Sequence, residues 1–385
     1  MTLGRVGVAR QSMLRDVLHR LISWRDRMLA QRSVQNLTVA VPVLRPVANR
    51  RARELFDLCI GFVHTQVVTA CVELDLFEVL SGAPKSVDQV AATCQLTPDA
   101  AARLLAAATA LKLFVRNRDG RYRLGELGAA FRGAAGIADI VRHNQLFYRD
   151  LADPVALLRG HRDDLELAGY WPYAEGETSV AELSPGDTTP YSRLMAATQP
   201  FIADDVLAAY DFTRHRALLD VGGGNGAFAA AIAHRFPAIE VGVFDLKSVT
   251  HLAMETFSAQ GLENRAHVHP GDFHRNALPS GYDAISLIRI LLDHDDDAVR
   301  GLLASVKTAL PPGGKLLVAE LMSGAHGAET ISDAYFGLYL MAMGRGRPRS
   351  VRRICELLAD AGFASVRPVS TRRALVTQLV VGVAP

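Results

Sequence analysis

Two periodicities divide the chain. Up to about residue 210 the apolar positions recur mainly at helical spacing, whereas from Ala217 they fall into short runs that alternate with helical segments. The runs are ALLDVG (217–222), EVGVFDL (240–246), AHVHPGD (266–272), YDAISLIRI (282–290) and KLLVAEL (315–321). Strands alternating with helices predict a parallel sheet with crossover connections. At the end of the chain ASVRPVSTR (364–372) and ALVTQLVVGVA (374–384) have no helix between them, which predicts an antiparallel hairpin on the sheet edge.

The N-terminal half reads differently. Residues 1–32 set Arg5, Arg10, Arg15, Arg20, Arg25, Arg27 and Arg32 against Leu14, Val17, Leu18, Leu21, Ile22, Met28 and Leu29, a basic amphipathic helix. Such a helix suits an anionic membrane surface or packing against protein. Residues 39–51, with Pro42 and Pro46, read as a linker, so 1–50 form a first segment. From Glu54 to Leu80 apolar residues fill more positions than a one-sided surface helix needs, so burial against a second copy, a homodimer, is expected.

Ser86 then caps a short helix, Thr97-Pro98 opens another, and Asn117 to Gly120 make the turn of a hairpin. That order is a winged helix, expected over 51–135. Residues 136–210 carry helical signal and aromatic stretches, HNQLFYRDL and YWPYAEGET, with a turn at Ser184 to Asp187. They read as a helical linker that contributes to a substrate site. Residues 211–385 hold the sheet. No internal repeat is evident.

A winged helix raises a DNA-binding regulator as a rival class of function. The helix that would read DNA, PDAAARLLAAATALKLF, offers only Arg103 and Lys112, too few donors for phosphates and base edges. The 42 basic and 40 acidic residues leave a net charge of +2, which gives no strong field for nucleic acid. Cys59, Cys71, Cys94 and Cys355 are far apart and make no ligand spacing, as expected in a reducing cytoplasm. With no run near the roughly 20 apolar residues that span a bilayer and no signal-peptide pattern, a cytoplasmic protein is expected, soluble or peripheral at an inner or photosynthetic membrane.

The sharpest chemical signal is LLDVGGGNGAFAAAIAHRF. A strand runs into Gly222, Gly223, Gly224 and Gly226 and then into a helix, whose free N–H groups and glycine turn admit a nucleotide-like cofactor. The loop and Asp245, 19 residues after Gly226, suit either a dinucleotide or S-adenosylmethionine. Gly271-Asp272-Phe273 after the third strand favours the latter, with a carboxylate for the adenine amino group and a ring for the base. The C-terminal strand pair, foreign to the simple dinucleotide fold, agrees. An ordinary turn cap is the other reading of Asp272.

From about residue 50 onward the sequence resembles the plant-type small-molecule O-methyltransferases. The segments DVGGGNG, FDL, GDF, LPPGGKLLVAE and LLADAGF carry the likeness. Within that family it resembles the bacterial hydroxyneurosporene (demethylspheroidene) O-methyltransferases of carotenoid synthesis, through RARELFDLCIGFV, RILLDHDDD and DAYFGLYLMAMGRGRPRS. The resemblance implies an α/β, Rossmann-like methyltransferase domain behind a mainly α-helical winged-helix dimerisation domain. It implies that Asp220, Gly222, Gly224 and Gly226 line the methionine and ribose of the cofactor. Asp245 with Leu246 would hold the ribose, Asp272 with Phe273 the adenine, and Arg289 joins the cofactor set. The expected reaction methylates the tertiary 1-hydroxyl of an acyclic carotenoid; a phenol, polyketide or tetrapyrrole is the enzymatic alternative.

One departure bears on chemistry. The family histidine that deprotonates a phenol is replaced by Leu292, with Asp293 next and His294 at the family tryptophan; Glu320 keeps one family glutamate and Pro348 replaces the other. Methyl transfer gains much of its rate from alignment, and an aliphatic alcohol gains little when one imidazole deprotonates it in advance. Proton acceptors are therefore sought in His294 and Asp293, supported by Glu320. His294 also suits a helix cap. Asp293, Asp295, Asp296 and Asp297 fit a helix N-terminus better than a metal site, and His267 and His269 lack a third ligand, so no metal is expected. An apolar acceptor site is expected around Phe147, Tyr148, Met195, Phe336, Tyr339 and Met343; plain core packing is the other reading of each.

Overall fold

The computed structural model describes residues 18–134, 136–161, 165–170, 195, 199–324 and 327–385. The chain divides into two compact units, residues 1–126 and 127–385.

In the first unit, residues 18–29 are helical and are followed by the helices Arg32–Ala40 and Arg45–Glu73. The stretch read as a linker narrows to a turn at 41–44. Pro46 lies in the first turn of a 29-residue helix, where its missing N–H costs nothing. That helix is also long and apolar enough to cross a membrane, a length the apolar runs alone did not suggest. Its outer face leaves Leu55, Phe56, Leu58 and Phe62 exposed.

Helix Val87–Cys94 begins in a capping box, Ser86 with Gln89, and Thr97 caps helix Pro98–Ala110. Strands β1 (Phe114–Arg116) and β2 (Tyr122–Leu124) pair antiparallel across the Asn117–Gly120 turn. Leu76, Leu80, Val90, Ala101, Leu105 and Phe114 form the buried core of this unit. The winged-helix order is present.

The second unit is built on β3 (Ala217–Val221), β4 (Glu240–Asp245), β5 (Ala266–Pro270), β6 (Ala284–Ile288), β7 (Lys315–Glu320), β8 (Ala364–Val369) and β9 (Gln378–Val383). Their order is β5-β4-β3-β6-β7-β9-β8. The first five are parallel, and β9 enters antiparallel between β7 and the edge strand β8. Every residue of β6 is buried, as a sheet covered on both faces requires. Two apolar layers cover it: one holds Phe228, Ile232 and Phe257, the other Leu302, Val306, Ile354 and Leu358. The order reverses between β3 and β6, and open α/β sheets bind ligands beyond the carboxyl ends of strands at such a point.

Candidate active site

β3 delivers the chain into the glycine turn with Asp220 buried beneath it. Ser286 of the neighbouring strand β6 donates its hydroxyl to Asp220 Oδ1 at 2.6 Å. Burial pushes the Asp220 carboxyl up to about 7, against that hydrogen bond, which lowers it. Gly222, Gly224 and Gly226 all have positive φ. A Cβ on Gly222 would come within 2.3 Å of Ile290 Cδ1, whereas one on Gly224 would meet no protein atom within 4 Å. The backbone at Gly224 thus borders open space that only glycine keeps clear, a cradle suited to a nucleoside-like group.

Asp245, at the end of β4, fastens that cradle. Its Oδ2 accepts the Gly224 N–H at 2.7 Å and its Oδ1 the Leu246 N–H at 2.7 Å. Burial raises this carboxyl to about 6, while both N–H bonds pull it down. Each oxygen keeps a second lone pair for a ligand hydroxyl. Asp272 Oδ1 accepts the His274 N–H at 2.8 Å, so the carboxylate does cap its own turn. The Phe273 ring stands beside those of His274 and His294, with centroids 4.5 Å and 5.4 Å away.

β6 ends in a strained corner. Arg289 adopts φ 57°, uncommon for a side-chain-bearing residue, and its Nη2 donates to the Met195 carbonyl at 2.8 Å. The turn Leu291–Asp293 follows. Glu320, fully buried at the end of β7, accepts the Leu292 N–H through Oε2 at 3.1 Å. Its Oε1 has no partner among the described residues, and burial drives the carboxyl up to about 8. Arg349, almost fully buried, donates to the carbonyls of Leu291 and His294 and pairs with Asp296 at 2.8 Å. Asp296 also pairs with Arg353, and the two arginines hold its carboxyl at about 2. Among the described residues no group of three or more His, Cys, Asp or Glu converges as metal ligands. His269 is engaged with the Tyr282 hydroxyl at 2.7 Å.

The Leu292 side chain joins a buried cluster with Phe147, Tyr339, Leu340 and Met343; Phe336 and Tyr335 pack against it. Helix Ile137–Asp150 and helix Phe336–Met343 supply most of this surface. Four of the expected acceptor residues, Phe147, Phe336, Tyr339 and Met343, therefore come together. Tyr148 is half-buried on the same helix as Phe147, and Met195 lies at Arg289 instead. The YWPYAEGET stretch, apart from Tyr170, and the turn at 184–187 lie outside the described residues. Sequence reasoning did not single out Ser286, Arg349, Tyr335, Asn144 or His143. The last two stood in plain view in the HNQLFYRDL stretch, as polar residues one helical turn from Phe147 and Tyr148.

A mostly parallel sheet with an antiparallel insertion, a glycine turn and acidic ends on the next strands define an S-adenosylmethionine-dependent methyltransferase. Residues 148–364 match the O-methyltransferase domain and residues 56–132 the O-methyltransferase dimerisation domain, and the chain belongs to that family. It is 42% identical to the demethylspheroidene O-methyltransferase of Cereibacter sphaeroides, over 93% of this chain and 94% of the relative. It is 39% identical to that of Rhodobacter capsulatus, over 93% and 89%. Human N-acetylserotonin methyltransferase in complex with S-adenosylmethionine superposes with a TM-score of 0.72 at 25% identity, covering 86% of this chain and 97% of that one. The enzyme is an O-methyltransferase that uses S-adenosylmethionine, and the dimerisation match supports a homodimer.

Proposed function

We propose that the enzyme methylates the tertiary hydroxyl of an acyclic carotenoid of the hydroxyneurosporene or demethylspheroidene type. The observation that carries this reading is the burial of Leu292, the residue that the sequence resemblance sets at the family base, among Phe147, Tyr339 and Met343. A leucine there suits an acceptor that needs no early deprotonation, and the aromatic and thioether surface suits a polyene. The likeness to two demethylspheroidene O-methyltransferases along most of their length supports it.

In this reading Asp220, Gly222, Gly224 and Gly226 hold the methionine and ribose, Asp245 and Leu246 the ribose, and Asp272 and Phe273 the adenine, with Arg289 beside them. When bound, the cofactor supplies an electrophilic methyl on a sulfonium. The protein's task is to aim the hydroxyl at it and exclude water. The contacts of His294 with Phe273 and His274, and burial that lowers its imidazole to about 3, favour a neutral wall beside the adenine. Asp293 and Glu320 then shape the turn under the acceptor.

Purified enzyme with labelled S-adenosylmethionine is expected to methylate 1-hydroxylated neurosporene or lycopene. Labelling of a phenol, polyketide or tetrapyrrole instead, with the carotenols left untouched, overturns the substrate assignment. For the ribose assignment, Asp245→Ala is expected to weaken S-adenosylhomocysteine binding at least tenfold by calorimetry, as loss of charge-assisted bonds of about 1.5–3 kcal/mol implies. Unchanged affinity sinks it.

Such an acceptor dissolves in lipid, and we infer peripheral membrane contact through residues 18–29, where Leu18, Leu21, Ile22 and Trp24 are exposed beside Arg20, Arg25 and Arg27. Flotation with anionic phospholipid vesicles, lost on deleting residues 1–30, tests it.

A further inference from the structure

The apolar cluster around Leu292 is not wholly apolar. Two hydrogen bonds between side chains cross it. His143 Nε2 and the Tyr339 hydroxyl lie 2.6 Å apart, and the Tyr335 hydroxyl donates to Asn144 Oδ1 at 2.7 Å. His143 and Tyr339 are 8% and 7% exposed, so the pair is shielded from water. Phe147 meets both tyrosine rings edge-on, and the tyrosines stack on one another with centroids 5.6 Å apart. A purely structural core has no need of an imidazole there, since burying it costs free energy that a phenylalanine would not.

Position matters as much as burial. Tyr339 belongs to the same packed cluster as Leu292, the residue that the sequence resemblance sets at the family base. Leu292 in turn follows β6, the strand whose Ser286 binds Asp220 beneath the glycine turn. The hydrogen-bonded pair therefore reaches the same packed cluster as Leu292. Burial lowers the His143 imidazole to about 4, so at neutral pH the ring is uncharged and one nitrogen carries a lone pair.

Resting on the reading of the acceptor as an alcohol, we propose that Tyr339, backed by His143, receives the acceptor hydroxyl and its proton. His143 carries its own proton on Nδ1, and Nε2 accepts the Tyr339 O–H. The acceptor hydroxyl donates to the Tyr339 oxygen. As the acceptor oxygen bonds to the methyl carbon, the carbon–sulfur bond breaks and its electron pair stays on sulfur. The hydroxyl proton passes to the Tyr339 oxygen while the phenolic proton passes to His143 Nε2. The products are a neutral ether, a neutral thioether and an imidazolium, so the single positive charge of the reactants ends on His143. Tyr339 is the catalytic residue and His143 its positioning partner and final acceptor.

The test uses full-length enzyme, a 1-hydroxylated carotenoid, and the variants Tyr339→Phe, His143→Gln and the double variant. General-base contributions are typically about 10²–10⁴-fold. Tyr339→Phe is expected to lower kcat about 100-fold while S-adenosylhomocysteine affinity, read by calorimetry, stays within twofold. Carotenoid binding, read by the shift of its visible absorption in the presence of S-adenosylhomocysteine, should weaken less than tenfold. His143→Gln should lower kcat with KM little changed. The double variant should be no slower than Tyr339→Phe, because the two groups act in series; two independent packing defects would multiply. A kcat within twofold of wild type for Tyr339→Phe overturns the pair and leaves the substrate assignment standing. Wild-type enzyme that leaves the carotenol unmethylated overturns both. If Tyr339→Phe does not fold, His143→Gln decides, and an undiminished kcat there overturns the relay.

Discussion

Glu320 accepts the backbone N–H of Leu292 through one carboxyl oxygen while the other finds no partner among the described residues. A fully buried carboxyl of this kind stays protonated at neutral pH; its pKa, ordinarily 4.5, is raised by burial to about 8. Between those values the folded chain keeps a proton that the unfolded chain has released, so stability falls as pH rises through the interval. Asp220 and Asp245, also raised, act in the same direction over narrower windows. The melting temperature of the cofactor-free protein is expected to drop from pH 6.5 to pH 8; below pH 6.5 the imidazoles of His143 and His294, lowered by burial, act in the opposite direction. Glu320→Gln, neutral at every pH and still offering an oxygen to Leu292, should flatten part of that drop. A slope identical to wild type contradicts the buried-acid account.

Two glycines of one turn separate folding from binding. Gly222→Ala drives a methyl group into Ile290, at 2.3 Å from Cδ1, and should destabilise the protein by about 1–3 kcal/mol, the usual cost of overpacking, on top of the left-handed backbone penalty that both glycines share. Gly224→Ala meets nothing in the protein and bears only the left-handed backbone penalty of about 1–2 kcal/mol. In the proposed site its methyl occupies the ligand's side of the loop. Thermal melts paired with calorimetry should therefore find Gly224→Ala the milder defect in stability and the graver one in S-adenosylhomocysteine affinity. The reverse ranking places the ligand elsewhere.

The exposed ridge of helix Arg45–Glu73 has a matching consequence. Leu58 and Phe62, 82% and 64% exposed, are one turn apart on a helix that overlaps the matched dimerisation domain. Leu58→Asp with Phe62→Asp sets charge on that face and should convert the dimer to a monomer in light-scattering chromatography. A dimer that persists moves the subunit contact to another surface.

Most of the fold was legible because its strands are short apolar runs bounded by turns, and all seven strands of the large sheet lie within such runs. The glycine turn was legible for the same local reason. What escaped was non-local. Ser286 pairs with Asp220 only because β6 lies beside β3, and His143 meets Tyr339 across 196 residues of sequence. The expected linker failed on chemistry rather than distance. A proline breaks a helix interior but suits a helix start, and Pro46 stands at such a start. Nothing in the sequence neighbours of Arg349 announces a buried cation that gathers the carbonyls of a turn.

A histidine at Leu292, the position that the sequence resemblance gives the family base, is the sharpest probe of the acceptor. In Leu292→His an imidazole replaces a side chain buried with Phe147 and Tyr339, on a turn held by a carboxyl that has an oxygen to spare. A protonated Glu320 can serve that ring through Oε1, so the variant should fold with a modest loss of about 1–2 kcal/mol from burying a polar ring in an apolar site. A phenol gains from such a base, because its proton can leave before the methyl arrives; an aliphatic alcohol, far less acidic, gains only from an acceptor that takes the proton as the methyl transfers, the role proposed for Tyr339 and His143. Relative to wild type, Leu292→His is therefore expected to raise kcat/KM for simple phenols at least tenfold and to lower it for a hydroxylated carotenoid. Equal gains for both acceptors would mean that Leu292 does not discriminate between them, and the link from this residue to an alcohol substrate would be lost.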